Sequence, residues 1–345
     1  MVFIVHENCA PFKLDASSAM RSTDRPTPHS AIQNPSWAMD FMHPFLHRIT
    51  LLYKIAKYFW LFTESDFATF VIPNTVFGVC SAIAGYPVVS TSTTSGAVLR
   101  RIPAVIFFNW SNLLVFDLAN QRLWEAVEED KLNKPWRPIP SGKISRSEVR
   151  QAMQMVIPLV LALNHYFLNV GAETACILTL TWVYNDLKAS DDGWIQRNFI
   201  IAISFGVYNW SSLKVAIGAG GLSSTAEITR VGLYWIALMS GVILTTMHIQ
   251  DLKDTVGDKE RGRHTSPLVL GEKVARWTLV IPITCWGPIC MHYWKLSWIM
   301  NVPVTALGLY VAWRCISYRG NTEDRKTWQL WCGWTALLSL MPLQI

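Results

Sequence analysis

Three aspartates recur in the segment QDLKDTVGDK, residues 250–259, at Asp251, Asp254 and Asp258. On a helix this i, i+3, i+7 spacing sets three carboxylates along one stripe, with Gly257 permitting local distortion near its end. A second acidic segment, FDLANQRLWEAVEEDKLNKPWRPIPSGKIS, runs from Phe116 to Ser145. Read as one helix, it puts Asp117, Gln121, Glu125 and Glu128 or Glu129 on a common face, with Asn120 beside them. Oxygen donors of this kind suit Mg2+, which keeps several waters and is usually shared between one or two carboxylates and a substrate phosphate. The expected metal set is Asn120, Glu125, Glu129, Asp130, Asp251, Asp254 and Asp258. Glu125 and Asp130 are the better candidates of the first segment, because carboxylates so crowded repel unless a cation sits between them. Two acidic stripes on one side could hold a Mg2+–diphosphate assembly, with Arg137, Lys188, Arg197 and Lys253 binding phosphate oxygens directly. The plainer alternatives are a solvated helix end paired with Arg122 and Lys131, and a charged juxtamembrane loop without a ligand.

The elements that must position these residues are set by hydropathy. The chain has 345 residues, 51% hydrophobic and 16% charged, against about 25% charged in an average soluble domain. Apolar stretches recur from Phe67 almost to Ile345, which argues for one all-α integral membrane domain over 45–345 behind a flexible cytosolic leader at 1–44. Spans of about 20 residues divide it into about nine candidate helices around a central cavity. They lie near 67–90, 102–119, 149–169, 171–187, 197–217, 228–249, 275–294, 296–316 and 327–344. Phe45 to Thr63 reads as a helix lying in the interface, or as an extension of the first span. The loops after the even spans carry most cations, including Lys131, Arg137, Lys188 and Lys259, so the positive-inside rule turns them to the cytosol. The same distribution explains the net charge of +6 without nucleic acid. No CxxC or HExxH occurs, and the cysteines in or beside apolar runs read as reduced packing residues. His165 and His248 read as hydrogen-bonded structural histidines, and Asp191 and Asp192 as part of a solvated loop.

These residues resemble the UbiA superfamily of intramembrane prenyltransferases from about Phe59 onward. The segment DLKDTVGD is similar to the DxxDxxGD element of that family. The RGRHTSPLVLG run from Arg261 to Gly271 resembles the element that follows it, and NKPWRPIPSG from Asn133 resembles the one after the first acidic motif. Tyr184 to Lys188 (YNDLK) resembles the loop between the fourth and fifth helices, which adds Tyr184 and Lys188 to Asp251 and Asp254 as expected catalytic residues. The resemblance implies nine helices, an isoprenoid diphosphate substrate, Mg2+ and a cytosolic-side active site. The first motif departs from the common NDxxDxxxD: counted back from Asn133, Asp130 takes the last acidic place while Ala126 and Leu123 occupy the other two. That version is most similar to the fungal membrane terpene cyclases of the superfamily.

The expected function is a sesquiterpene cyclase of an internal membrane, the endoplasmic reticulum by the fungal likeness. It would ionise farnesyl diphosphate with Mg2+ and close the cation to a hydrocarbon, bergamotene being one such product. The alternatives are an aromatic prenyltransferase, which shares the ionisation but holds a nucleophile at C1, and a non-enzymatic transporter or lipid-binding protein.

Overall fold

The computed structural model describes residues 36–219 and 226–344. The chain divides into two compact units, Met1–Leu52 and Tyr53–Ile345. In the first, the described backbone is helical from Ser36, so of the leader expected at 1–44 the part up to 35 lies outside the described residues. The second unit carries the site.

Helix α1 spans Ser36–Ala84, so the stretch Phe45–Thr63, expected either to lie in the interface or to extend the first span, is helical. There follow α2 (Ser95–Gln121), α3 (Trp124–Asn133), α4 (Arg146–Tyr166) and α5 (Gly171–Asn185). A short turn α6 (Ala189–Asp192) leads to α7 (Trp194–Ile217) and α8 (Arg230–Thr246). A 3-10 turn, Met247–Gln250, passes α8 into α9 (Asp251–Arg261), followed by α10 (Ser266–Leu270), α11 (Glu272–Trp294), α12 (Val302–Ser317), α13 (Asn321–Leu338) and a last 3-10 turn, Met341–Gln344. Among the described residues nine helices reach 15 residues or more, and no β-strand forms beyond an isolated bridge between Val89 and Ile228. Among the described residues five segments are long and apolar enough to cross a membrane: Tyr53–Ala84, Ser95–Gln121, Trp194–Ile217, Arg230–Arg261 and Glu272–Trp294. The other expected spans are helices too, but shorter or interrupted by charge, as at Arg146, Glu148 and Arg150 in α4 and at Glu323, Asp324 and Arg325 in α13.

The two acidic segments end up face to face. Helix α2 stops at Gln121, Leu123 turns extended, and α3 starts afresh, so Asp117 and Glu125 do not share one continuous helical face. Helix α3 instead packs on α9, and Gly257 is what lets it approach. A Cβ there would lie 2.3 Å from the Asn133 side-chain nitrogen. Asn133 Nδ2 donates to the Asp254 carbonyl at 3.1 Å, and Gly257 N–H donates to Asn133 Oδ1 at 3.3 Å. The glycine therefore serves close packing rather than the helix distortion expected from sequence.

Helix α13 braces the same end. Arg276 of α11 donates two hydrogen bonds to the Asp324 carboxylate, at 2.8 and 2.9 Å, a buried fork that fixes both helices. One turn earlier, Asn321 donates to the Lys253 carbonyl at 2.6 Å. Helix α4 is started by a capping box in which Ser145 and Glu148 satisfy each other's exposed N–H groups.

Candidate active site

A cavity opens where α1, α2, α5, α7, α9 and α13 meet, and it encloses about 80 Å3. Its polar side is lined by Asp66, Asp117, Asn120, Glu129, Lys134, Arg137, Arg197, Lys253, Asp254 and Arg263, and its apolar side includes Phe70, Phe116, Ile177, Ile200, Tyr184 and Tyr208. As it stands the space suits the polar head of a ligand; a long apolar chain requires side chains to move.

Of the residues expected from sequence, Asn120, Glu129, Arg137, Tyr184, Arg197, Lys253 and Asp254 come together at this cavity. Others do not. Glu125 and Lys188 pair with each other at 2.7 Å on the exposed surface, which draws both away from the expected metal and diphosphate roles. The hydrogen bond and charge of Lys188 hold Glu125 below its usual value, and Glu125 in turn raises Lys188. Asp130 sits behind Arg137, whose Nη1 donates to both its oxygens at 3.0 Å, and burial pushes its carboxyl up although Arg137 opposes this. Asp251 is buried against Arg197, with Oδ1 3.0 Å from Nη2, and Asp258 accepts from Arg263 at 3.1 Å. The i, i+7 pair thus anchors cations from elsewhere, and only Asp254 of the three aspartates reaches the cavity lining.

Glu129 is reassigned from ligand to clamp. Its two oxygens accept from Arg261 and Arg263, each at 3.1 Å, and all three side chains are buried. Burial alone would raise this carboxyl, but Arg263 and then Arg261 outweigh it and hold Glu129 below the ordinary range. Asp191, expected as a solvated loop residue, belongs to the same knot: Arg263 Nε donates to it at 3.0 Å and Arg261 Nη2 at 3.4 Å. Removing one member leaves a buried charge without its partner. Glu129→Gln should therefore cost about 3–5 kcal/mol of stability, read as a lower unfolding temperature in detergent. Because the folded value is depressed, this stabilisation is complete above the unfolded carboxylate value of about 4.3 and is lost as pH falls through the folded one. The variant's stability should respond less to acid over that range than the parent's, and an equal response would remove Glu129 from the clamp.

Sequence reasoning missed several lining residues, among them Arg263, Asp66, Lys134 and Trp328. Asp66 lies in the first apolar run, far from either motif, and Arg137 Nη2 donates to it at 2.7 Å. Lys134 stands near Asp66 and Asp254; burial and Arg137 lower it, but these carboxylates raise it further, so it stays charged. Trp328 supports Lys253, whose ammonium lies 4.9 Å from the ring centroid. Lys253 also pairs with the neighbouring Asp254 carboxylate. His248 has the structural role expected, with ring nitrogens 3.2 Å from Asn198 Nδ2 and 3.0 Å from Thr278 Oγ1.

Around the cavity several buried atoms have no hydrogen-bond partner: Arg137 Nε, Arg197 Nε and Nη1, Asp254 Oδ1 and Asp117 Oδ2. Unpartnered donors and acceptors cost free energy when buried, so this set is matched to a ligand that offers anionic oxygens to the guanidiniums and a cation to the carboxylates. No three acidic, His or Cys side chains among the described residues converge as a ready-made metal cage. The donor chemistry still fits Mg2+, which completes its shell with water and phosphate oxygens and needs only one or two protein ligands; Asp254 and Asn120 are the residues placed to supply them.

The UbiA prenyltransferase family model matches residues 71–333. The chain is 31% identical over 290 residues to the somaliensene A/B synthase of Streptomyces somaliensis, covering 81% of this chain and 89% of that protein. It is 26% identical over 272 residues to the fumagillin beta-trans-bergamotene synthase of Aspergillus fumigatus, covering 78% and 84%. Among solved structures, a UbiA homolog from Archaeoglobus fulgidus bound to GPP and Mg2+ superposes with a TM-score of 0.55 at 13% identity, over 84% of this chain and all of that one.

Proposed function

The chain belongs to the UbiA prenyltransferase family, and from that premise we propose that it is a membrane-embedded terpene cyclase acting on farnesyl diphosphate. The observation that carries this reading is the pairing of unsatisfied guanidinium N–H groups and carboxylate oxygens on one side of a cavity with aromatic rings on the other. Arg137 and Arg197 are aimed to bind the diphosphate, with Lys134 and Lys253 adding charge, so negative charge developing on the departing group is met by fixed cations. Mg2+ held by Asp254 and Asn120 would add Lewis-acid stabilisation of the same oxygens. The rings of Phe70, Phe116, Tyr184 and Tyr208 line the remaining wall, where an allylic cation is shielded from water and faced by π-electrons. Likeness to two terpenoid synthases favours closure of the cation upon itself. Transfer to an aromatic acceptor is the second reading, favoured by the activity for which the family is described.

The basic loops of the site end support a site facing the cytosol from an internal membrane, with the endoplasmic reticulum as the proposed location. Protease protection of the 186–193 loop in sealed microsomes would contradict that orientation. The diphosphate site is tested by binding. A non-ionising farnesyl thiodiphosphate at about 100 times its Kd should stabilise the purified protein by about 2.7 kcal/mol when Mg2+ is present. The shift in unfolding temperature should shrink with EDTA. An equal shift from farnesol would indicate binding by the apolar chain alone and overturn the site.

A further inference from the structure

The cavity has a definite depth. Along α7 its lining begins at Arg197 and runs inward past Ile200, Ile201 and Ser204 to Tyr208, where it stops. From Arg197 to Tyr208 a helix rises about 16 Å. The lining ring farthest from the charged end is Phe70 on α1, Phe116 on α2 and Tyr208 on α7, and the three lie together: Phe70 is 5.9 Å from Phe116 and 6.3 Å from Tyr208. Of these rings Tyr208 is the one held from behind. Phe70 and Phe116 are partly buried, whereas Tyr208 is 3% exposed and meets the fully buried Phe108 edge-on at 6.0 Å. Side chains of a helix lean toward its N-terminus, which for α7 is the charged end, so the ring stands up into the space. One turn further in, Ser212 exchanges hydrogen bonds with Asn109 of α2 at 3.0 and 3.1 Å, and Asn109 donates to Thr75 of α1 at 3.1 Å. This bonded layer ties three helices together below the ring, and none of its members lines the cavity.

Resting on the reading of this site as a farnesyl diphosphate cyclase, we infer that Tyr208 is the floor of the prenyl-chain pocket and sets the length of chain the protein accepts. The diphosphate takes the upper part of the depth, so what remains below it is shorter than an extended farnesyl chain. The chain has to fold back above the ring, and such a fold carries a distal double bond toward C1, where closure begins. A fourth isoprene unit has no space. The partly buried Phe70 and Phe116 can turn aside for a bent chain, but Tyr208 is braced by Phe108, and close-packed side chains yield little. Alanine in its place removes more atoms than one isoprene unit adds, and opens the pocket toward the Asn109 layer.

The test gives full-length protein geranyl, farnesyl and geranylgeranyl diphosphates with Mg2+. Two quantities are read: kcat/KM for consumption in membranes, and Kd for the matching non-ionising thiodiphosphates in detergent, because a floor limits binding whether or not the bound chain cyclises. Wild type should favour farnesyl over geranylgeranyl by about tenfold or more. Tyr208→Ala should raise the geranylgeranyl-to-farnesyl ratio about tenfold or more in both quantities, at an unchanged Mg2+ requirement, and should turn part of the farnesyl product acyclic. Tyr208→Phe keeps the ring and should keep the wild-type ratio. Should Tyr208→Ala fail to fold, Ser204→Leu carries the test from the other side. Ser204 lines the cavity one turn above Tyr208, so a larger side chain there raises the floor and should shift preference from farnesyl to geranyl diphosphate about fivefold or more. Wild type that takes geranylgeranyl as readily as farnesyl overturns the inference, and so does a folded Tyr208→Ala or Ser204→Leu whose ratio is unmoved. Wild type that binds the thiodiphosphates with the expected preference but forms no hydrocarbon removes the cyclase reading and leaves the floor standing.

Discussion

Asp254→Asn is expected to cut turnover of farnesyl diphosphate by about a thousandfold while the protein stays folded. The native carboxylate presents one unpartnered oxygen to the cavity and gives the other to Lys253. Asparagine keeps the shape and one acceptor but removes the charge that would hold a divalent cation against a diphosphate. The backbone contact that locks α3 to α9 uses the Asp254 carbonyl, which the substitution leaves in place. Loss of rate should come with a higher Mg2+ concentration for half-maximal activity. Wild-type kcat at an unchanged Mg2+ requirement would take Asp254 out of the site. Asp251→Asn should act differently: Asp251 is fully buried against Arg197, so its loss misplaces a diphosphate donor and should raise KM more than it changes the metal requirement.

The second large effect falls on Arg137, where two substitutions separate folding from chemistry. Its guanidinium, 4% exposed, binds Asp130 with Nη1 and Asp66 with Nη2, and keeps an unpartnered Nε at the cavity it lines. Arg137→Gln leaves those buried carboxyls without their hydrogen-bonded guanidinium, with Lys134 the cation left near both, and should cost about 3–5 kcal/mol, enough to deplete folded protein from the membrane. Arg137→Lys keeps the charge but not the planar fork that satisfies two carboxylates at once. It should fold, with turnover reduced about a hundredfold by the loss of a positioned donor to the leaving group. The check is a pair of unfolding temperatures with a kcat for the lysine variant. Wild-type turnover in Arg137→Lys would show that the fork is not aimed at substrate.

How much of this is legible in the sequence depends on what kind of information each residue needs. The helical class, the ends of most helices and the meeting of the two acidic segments follow from hydropathy and from motif spacing, which are local. The partners of each carboxylate are not local. The stripe Asp251, Asp254, Asp258 has the face-sharing its spacing dictates, yet Arg197 of α7 claims the first and Arg263 the last, leaving Asp254 for the cavity. Glu125 reads as a ligand only on a continuous helix; the helix breaks at Arg122 and Leu123, and the break turns it outward to Lys188. Asp66 gives no signal, because a carboxylate beside Glu64 at the head of an apolar run becomes meaningful only when α2 brings Asp117 beside it. Asp191 reads as solvent-facing since its partners, Arg261 and Arg263, lie some seventy residues on.

The central claim is that this cavity ionises a prenyl diphosphate and closes the cation without an acceptor. The direct measurement is to incubate membranes containing the protein with farnesyl diphosphate and Mg2+, with no aromatic compound added, and to analyse the organic extract by gas chromatography and mass spectrometry beside empty membranes. A cyclic hydrocarbon that disappears with EDTA is the predicted result. Folded protein that yields no hydrocarbon, yet consumes farnesyl diphosphate once an aromatic acceptor is supplied, would contradict it.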